Sequence, residues 1–296
     1  MVTILVIGRS GQLATALVAQ AGGRDLVAVG RSDIDFDEPE TILRSLTAHA
    51  PTLIIIAAAY TAVDRAETEA EAAYRANAIG PEIVARFCAR ADIPLIHVST
   101  DYVFDGAKGA PYVETDTANP IGVYGASKRA GEIAVLAACA KAIILRTSWV
   151  YAPYGRNFVL TMLAAAQRVP SLRVVADQIG CPTAAPDLAA AILAIADQLG
   201  AGWRDSYAGI YHAAGTGSTS WHGLACAAFA AASRHGRTPP EVIAITTADW
   251  PTPVRRPADS RLNCDKLAQI FGVRLPDWQD ALDRMIDQTL GARHVP

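Results

Sequence analysis

The stretch from Val2 to Ala14 constrains this chain more than any other. Val2-Thr3-Ile4-Leu5-Val6-Ile7 is an apolar, β-branched run of strand length, and Gly8-Arg9-Ser10-Gly11-Gln12-Leu13-Ala14 follows it without a spacer. A helical pattern then begins, with Leu13, Leu17 and Val18 on one face. A strand that turns through glycines straight into a helix is the opening unit of a dinucleotide-binding fold. Gly8 suits the tight turn, Gly11 lets backbone approach a pyrophosphate, and Ala14 is small enough for close helix–strand packing. The helix N-terminus then offers free N–H groups to phosphate. The competing reading is a glycine turn of purely structural use.

The pattern continues along the chain. A second strand, Leu26 to Gly30, ends in Arg31-Ser32. NAD-selective domains commonly carry an acidic residue near this point; Arg31 suits a 2′-phosphate instead, which favours NADPH. Asp33 and Asp35 follow closely, and pairing of Arg31 with one of them is the alternative. Asp35-Phe36-Asp37 leads into a short helix, Pro39 to Ala48. A third strand, Leu53 to Ala59, is apolar throughout, as a parallel strand covered on both faces is, and its small final residues leave room for a cofactor. After Thr61, Val63 and Asp64 comes one long acidic, Ala-rich helix, Ala66 to Ala91, in which Asn77 reads equally as a surface or a functional residue.

Strand four, Pro94 to Ser99, opens into Thr100-Asp101-Tyr102, and strand five spans Ala142 to Arg146. Strands alternating with helices over residues 1–150 predict an α/β fold: a Rossmann-like doubly wound parallel sheet with a smaller C-terminal substrate-binding lobe. The expected division is 1–150 for cofactor binding, with a return segment near 184–215, and 151–296 mainly for substrate. Later helices are expected at Phe158 to Arg168, Asp187 to Leu199, Trp221 to Ser233, Cys264 to Phe271 and Trp278 to Leu290.

Tyr124-Gly125-Ala126-Ser127-Lys128 carries the chemistry. Four residues apart on a helix, Tyr124 and Lys128 share a face. A Lys cation beside a phenol favours phenolate and brings the Tyr nearer to proton transfer at neutral pH. Thr100 lies past the carboxyl end of a strand, where ligands of open α/β sheets bind, and its hydroxyl could donate to a substrate carbonyl. A solvated helix face and a structural turn hydroxyl are the competing readings.

Composition serves to exclude. With 51% hydrophobic residues, 19% charged residues and a net charge of −3, the 296 residues have an ordinary globular balance. No basic run exceeds a pair such as Arg255-Arg256, so no nucleic-acid partner is expected. Cys88, Cys139, Cys181, Cys226 and Cys264 are odd in number and scattered, which supports neither a disulfide frame nor a zinc site. His97, His212 and His222 have no paired ligands and read as core or hydrogen-bonded histidines. No cleavage signal precedes the first strand, and no apolar run reaches the roughly 18–20 residues of a membrane helix. A cytoplasmic protein with reduced thiols and no membrane contact is expected.

In this order, Gly8-x-x-Gly11-x-x-Ala14, Ser99-Thr100 and Tyr124-x-x-x-Lys128 resemble the extended short-chain dehydrogenase/reductases. Further blocks look like the dTDP-4-dehydrorhamnose reductases: Ala57-Ala58-Ala59-Tyr60-Thr61-Ala62-Val63-Asp64-Arg65, Ser99 to Phe104, and Arg146 to Tyr151. So do Asn157-Phe158, Asp177-Gln178-x-Gly180-x-Pro182-Thr183, Gly209-Ile210-Tyr211-His212 and Arg256 to Asn263, and the resemblance covers nearly the whole chain.

The resemblance implies NADPH-dependent reduction (NADH possible) of the 4-keto group of dTDP-4-dehydro-L-rhamnose to dTDP-L-rhamnose. It implies that Tyr124 donates the proton, that Lys128 lowers the phenol pKa and bonds the nicotinamide ribose, and that Thr100 polarises the carbonyl. Gly8, Gly11, Gln12 and Leu13 fall on the pyrophosphate turn, Arg31, Asp35 and Phe36 near the adenosine, and Ala57, Ala58 and Tyr60 along the cofactor. Thr61, Val63, Thr100, Tyr102, Trp149, Asn157 and Arg256 fall on the sugar-nucleotide side. Some members bridge a dimer through a metal held by a Glu early in the first helix; that place falls at about Ala16 here, so no metal is expected, and monomer or homodimer stays open. The same resemblance admits another sugar-nucleotide reductase or an epimerase. It also admits a non-catalytic subunit like that of methionine adenosyltransferase, against which the intact Thr100, Tyr124 and Lys128 argue.

Overall fold

The computed structural model describes residues 3–291; Val2, expected in the first strand, lies outside them, as do both ends of the expected domain division. In chain order, β1 (Thr3–Ile7), α1 (Gln12–Ala19), β2 (Asp25–Val29), α2 (Pro39–His49) and β3 (Leu53–Ile56) come first. They are followed by α3 (Val63–Ala66), α4 (Ala70–Tyr74), a π-helical stretch (Arg75–Ile79), α5 (Gly80–Ala91), β4 (Leu95–Thr100), α6 (Val123–Ala138) and β5 (Ala142–Thr147). Next are β6 (Val150–Tyr151), α7 (Phe158–Ala165), β7 (Ser171–Val175), β8 (Ile179–Gly180), β9 (Thr183–Ala184), α8 (Ala185–Ala201) and β10 (Gly209–His212). The last elements are β11 (Thr219–Ser220), α9 (Trp221–Ser233), β12 (Glu241–Ile245), α10 (Asp265–Phe271) and α11 (Trp278–Gly291).

Six strands form one parallel sheet in the order β10-β5-β4-β3-β1-β2. Successive strand residues point to opposite faces, and both faces are covered. Ile4, Val6, Ile55 and Leu145 pack with Leu17 of α1 and Leu188 and Ile192 of α8. Leu5, Ile7, Ile54 and Ile144 pack on the other side with Ile42 and Leu46 of α2, Val84 of α5 and Val135 of α6. This double burial is why the strands read as unbroken apolar runs. Helices α7, α9 and α11 surround a separate core containing Val159, Leu224, Leu282 and Ile286. Two-stranded pairs lie beside them: β6 with β9, β7 with β12, and β8 with β11. Among the described residues, no helix is long and apolar enough to cross a membrane.

Two expected elements change. The third strand stops at Ile56, because the N–H groups of Ala57 and Ala58 both turn to the Ile7 carbonyl, at 2.9 and 2.7 Å. The single long helix from Ala66 to Ala91 is instead a broken series, α3, α4, the π stretch and α5. Pro81 has no N–H to return to the Asn77 carbonyl four residues back, so the ladder widens there.

Candidate active site

A cleft of about 1010 Å³ opens past the carboxyl ends of the main strands. It lies where the strand order reverses, between β1 and β3, the place where open α/β sheets bind ligands. One end is walled by the turn from Gly8 to Leu13, the middle by Thr100, Tyr124 and Lys128, and the far end by Trp149 and Trp221.

The turn fits a dinucleotide. Gly8 has φ 122°, and a Cβ there would lie 3.0 Å from the Ala58 nitrogen, so only glycine lets β1 leave the sheet this tightly. Gly11 is different: a Cβ would meet nothing within 4 Å. As the N-cap of α1 it brings no side chain to the first helical N–H groups, and Gly11, Gln12 and Leu13 line the cleft, a setting suited to phosphate oxygens. At the adenosine end, Arg31 does not stand free for a 2′-phosphate. Its side chain, 74% exposed, bonds Asp35 at 3.0 Å and also Asp37. Arg75 bonds the same Asp37 at 2.7 Å, while Asp33, the other expected partner, takes Arg9 at 2.8 Å. Arg31, Asp35 and Phe36 all line the cleft.

The catalytic end depends on how closely α6 docks. The Val123 N–H at its start donates to Glu67 Oε1 at 2.8 Å. A Cβ on Gly125 would fall 2.1 Å from the Tyr102 carbonyl, and one on Gly131 would fall 1.9 Å from the Asn77 carbonyl. Buried Glu132 accepts two bonds from Arg146 of β5, at 2.8 and 2.7 Å, and one from Ser99 of β4 at 2.6 Å. Helix α6 is thereby pinned over the ends of β4 and β5, with Tyr124 and Lys128 facing the cleft.

Thr100 Oγ1 donates to Asp101 Oδ1 at 3.0 Å, accepts from the Tyr102 N–H at 3.2 Å, and lies close enough to the Tyr124 phenol to favour its ionised form. Asp101 also accepts from Ser148 Oγ at 3.1 Å, and burial pushes its carboxyl up to about 6. Lys128 Nζ donates to the Val98 carbonyl at 2.7 Å and faces His97 Nε2 at 3.4 Å. Burial lowers the Lys128 ammonium to about 8, with Glu132 pulling it the other way. Lys128 is not among the groups that shift the Tyr124 phenol here. Burial pushes Tyr124 above its ordinary range; the Thr100 contact opposes the rise, and Asp101 and Tyr102 add to it. Tyr124 therefore keeps its proton through neutral pH and can hand it to an alkoxide, which is far more basic. A carbonyl oxygen placed between the Thr100 and Tyr124 hydroxyls would accept from Tyr124, and from Thr100 once that hydroxyl turns from Asp101.

Gln12, Leu13, Ala57, Ala58, Tyr60, Thr61, Val63, Tyr102 and Trp149 line the cleft as well. Two expected residues do not. Asn157 caps α7 through Leu160 and donates to Gln12 Oε1 at 2.9 Å and the Ala152 carbonyl at 2.8 Å, so it braces the glycine turn from behind. Arg256 donates from one nitrogen, Nη2, to both Asp64 carboxylate oxygens at 2.7 and 2.8 Å, and its charge lies beside the Tyr102 phenol. Asn77, left undecided by the sequence, is fully buried. Its amide exchanges bonds with the Tyr60 backbone at 2.9 and 3.1 Å and donates to Ser127 Oγ at 3.0 Å, tying the cofactor-side loop to α6. Its signal was polarity inside an Ala-rich helix. Trp221 gave no such signal, because what makes it part of the cleft is a contact with a distant residue. Among the described residues, no group of three or more His, Cys, Asp or Glu could hold a metal ion.

A switch-point cleft that joins an open helix N-terminus to a Thr, Tyr and Lys set defines an NAD(P)-dependent reductase of the short-chain dehydrogenase/reductase type. Residues 2–290 match the family model described as the RmlD substrate binding domain. A dTDP-4-dehydrorhamnose reductase of Sinorhizobium fredii is 44% identical over 284 residues, which cover 96% of each chain. The structure of a dTDP-4-dehydrorhamnose reductase from Bacillus anthracis in complex with NADP has a TM-score of 0.89 and 34% identity, covering 98% of this chain and 100% of that one. One from Clostridium acetobutylicum has a TM-score of 0.89 and 33% identity, over 97% and 99% of the two chains. The chain belongs to the dTDP-4-dehydrorhamnose reductase family.

Proposed function

We infer that this chain reduces the 4-keto group of dTDP-4-dehydro-L-rhamnose to give dTDP-L-rhamnose, with NADPH as cofactor. The observation that carries this reading is the convergence of Thr100, Tyr124 and Lys128 in a cleft that starts at the Gly8–Leu13 turn, in a chain of this family. The bound nicotinamide supplies the hydride. Gly8, Gly11, Gln12 and Leu13 hold the pyrophosphate, Arg31, Asp35 and Phe36 flank the adenosine, and Ala57, Ala58 and Tyr60 lie along the cofactor. Tyr124 gives its phenolic proton to the ketone oxygen, and the Thr100 hydroxyl, turning from Asp101, donates to the same atom. Lys128 has used two of its N–H groups on Val98 and His97; the third is left for the cleft and a ribose hydroxyl. The carboxylates that hold Arg31 compete with a 2′-phosphate, so discrimination against NADH is small.

Thr61, Val63, Tyr102 and Trp149 make up the sugar-nucleotide side, with Asn157 and Arg256 supporting it from behind. Residues 1–150 and the return near 184–215 hold the cofactor, and the rest of 151–296 mainly holds the substrate. The enzyme works in the cytoplasm as a monomer or homodimer. Purified chain mixed with NADPH and dTDP-4-dehydro-L-rhamnose tests the reading through nicotinamide absorbance and NMR of the product sugar. One NADPH consumed per dTDP-L-rhamnose formed is expected. A non-catalytic subunit would consume none, and a different reductase or an epimerase would yield another sugar.

A further inference from the structure

Two tryptophans from distant parts of the chain meet in the cleft wall. Trp149 and Trp221 stack with ring centroids 3.5 Å apart and planes 6° from parallel, and both line the cleft. Trp149 has φ 47°, a left-handed backbone that a bulky residue adopts only when its surroundings impose it. The surroundings are visible on the ring itself: a Cβ at Gly180 would lie 2.5 Å from Trp149 Cε2 and 2.7 Å from its Nε1. Gly180 belongs to β8, which pairs with β11 in the register Thr219↔Gly180, and Trp221 follows β11 directly. The ladder thus holds the Gly180 backbone and the Trp221 ring both against the Trp149 indole.

Trp221 is oriented in turn. Its Nε1 donates to Gln178 Oε1 at 3.2 Å, and Gln178 Nε2 donates to Thr247 Oγ1 at 3.0 Å. Thr247 Oγ1 donates to Asp177 Oδ1 at 2.7 Å. Asp177, Gln178 and Gly180 form a sequence block to which the proposed reaction gives no part. In the structure they frame this stack.

We propose that Trp221 is a positioning residue for the sugar-nucleotide side of the cleft and acts through Trp149. It holds that indole in its left-handed conformation so that the ring edge, and not the face covered by Trp221, meets the substrate. With the Trp221 ring on it, that face of Trp149 cannot take an aromatic base. The positive edge of the ring is suited instead to the oxygen atoms of a sugar or diphosphate. The inference rests on the reading that Trp149 lies on the sugar-nucleotide side.

Trp221→Ala, Trp221→Phe and Trp149→Ala test it, with the KM for dTDP-4-dehydro-L-rhamnose, kcat, NADPH affinity by fluorescence titration and near-UV circular dichroism. The stacked indoles give a coupled dichroism band that all three variants lose. Trp221→Ala is expected to raise the sugar-nucleotide KM about tenfold, the scale of a lost aromatic pair with its burial, with a smaller change in kcat and none in NADPH affinity. Trp221→Phe keeps a flat ring, loses the bond to Gln178, and should fall between Trp221→Ala and the parent. If Trp221→Ala keeps the parent KM while Trp149→Ala raises it, Trp149 works without its neighbour and the proposal is overturned. Equal losses in sugar and NADPH affinity would show a merely structural role and overturn it too. If neither Trp149→Ala nor Trp221→Ala moves the KM, the placement of Trp149 on the substrate side has failed, and the positioning role falls with it.

Discussion

In the proposed reduction the proton comes from the Tyr124 phenol, which burial keeps protonated. Removing that hydroxyl while keeping the ring isolates its role. Tyr124→Phe should lower turnover by about 10²–10⁴-fold, the usual contribution of a positioned acid, while NADPH titration stays unchanged. A variant turning over near the parent rate would remove Tyr124 as the donor. The second titrating group is Lys128, lowered to about 8 by burial. Below that pH it is an ammonium able to donate to the ribose; above it the charge and one donor are lost. The value of kcat/KM should therefore fall as pH rises through about 8, with the slope of a single proton. Lys128→Met should be slower and lack that limb. If the limb survives in the variant, it belongs to another group.

Helix α6 holds both residues, and its position is decided by glycines. At Gly131, a Cβ would sit 1.9 Å from a backbone carbonyl that cannot move without disturbing the π stretch. Gly131→Ala should destabilise the protein by about 1–3 kcal/mol or more, the range of overpacked cores, and slow turnover by shifting Tyr124. Urea unfolding checks the first effect. Gly23→Ala, where a Cβ meets nothing within 4 Å, is the control and should change stability by no more than about 0.5 kcal/mol. Equal midpoints for the two variants would mean that α6 tolerates a looser seat. The element itself was legible: Tyr124 and Lys128 share a face because their spacing matches a local period. Its seat was not, since Asn77, Tyr102 and Arg146 lie in other elements. The break at Asn77 could be traced in hindsight to Pro81, a local signal overshadowed by the strong helical composition around it.

For the molecule as a whole, Arg256 joins a late loop to α3 near the cleft through its ion pair with Asp64. This half-buried pair, at 16% and 44% side-chain exposure, is better placed to hold the loop against Tyr102 than to meet a diphosphate itself. Arg256→Ala and Asp64→Asn should then act alike, each raising the sugar-nucleotide KM several-fold with NADPH affinity unchanged; truncating one partner of a half-buried pair leaves the other uncompensated. A large effect from Arg256→Ala beside none from Asp64→Asn would place the guanidinium on the ligand instead.

What the sequence determined by itself was everything carried by local periodicity. The apolar run into Gly8 and Gly11 dictates a strand, a tight turn and an uncapped helix, and the unbroken apolar runs at Leu53–Ile56 and Ala142–Leu145 dictate strands buried on both faces. A Tyr and a Lys four apart on a helix needed no tertiary information to be paired. Only the tertiary structure decided which distant residues would meet: Trp149 against Trp221, Arg256 against Asp64, and Arg31 against Asp35 and Asp37 rather than standing open to a phosphate. Those partnerships depend on where the sheet and the β8–β11 ladder bring separate segments together, and a side chain's charge or shape names no partner until a backbone places one beside it.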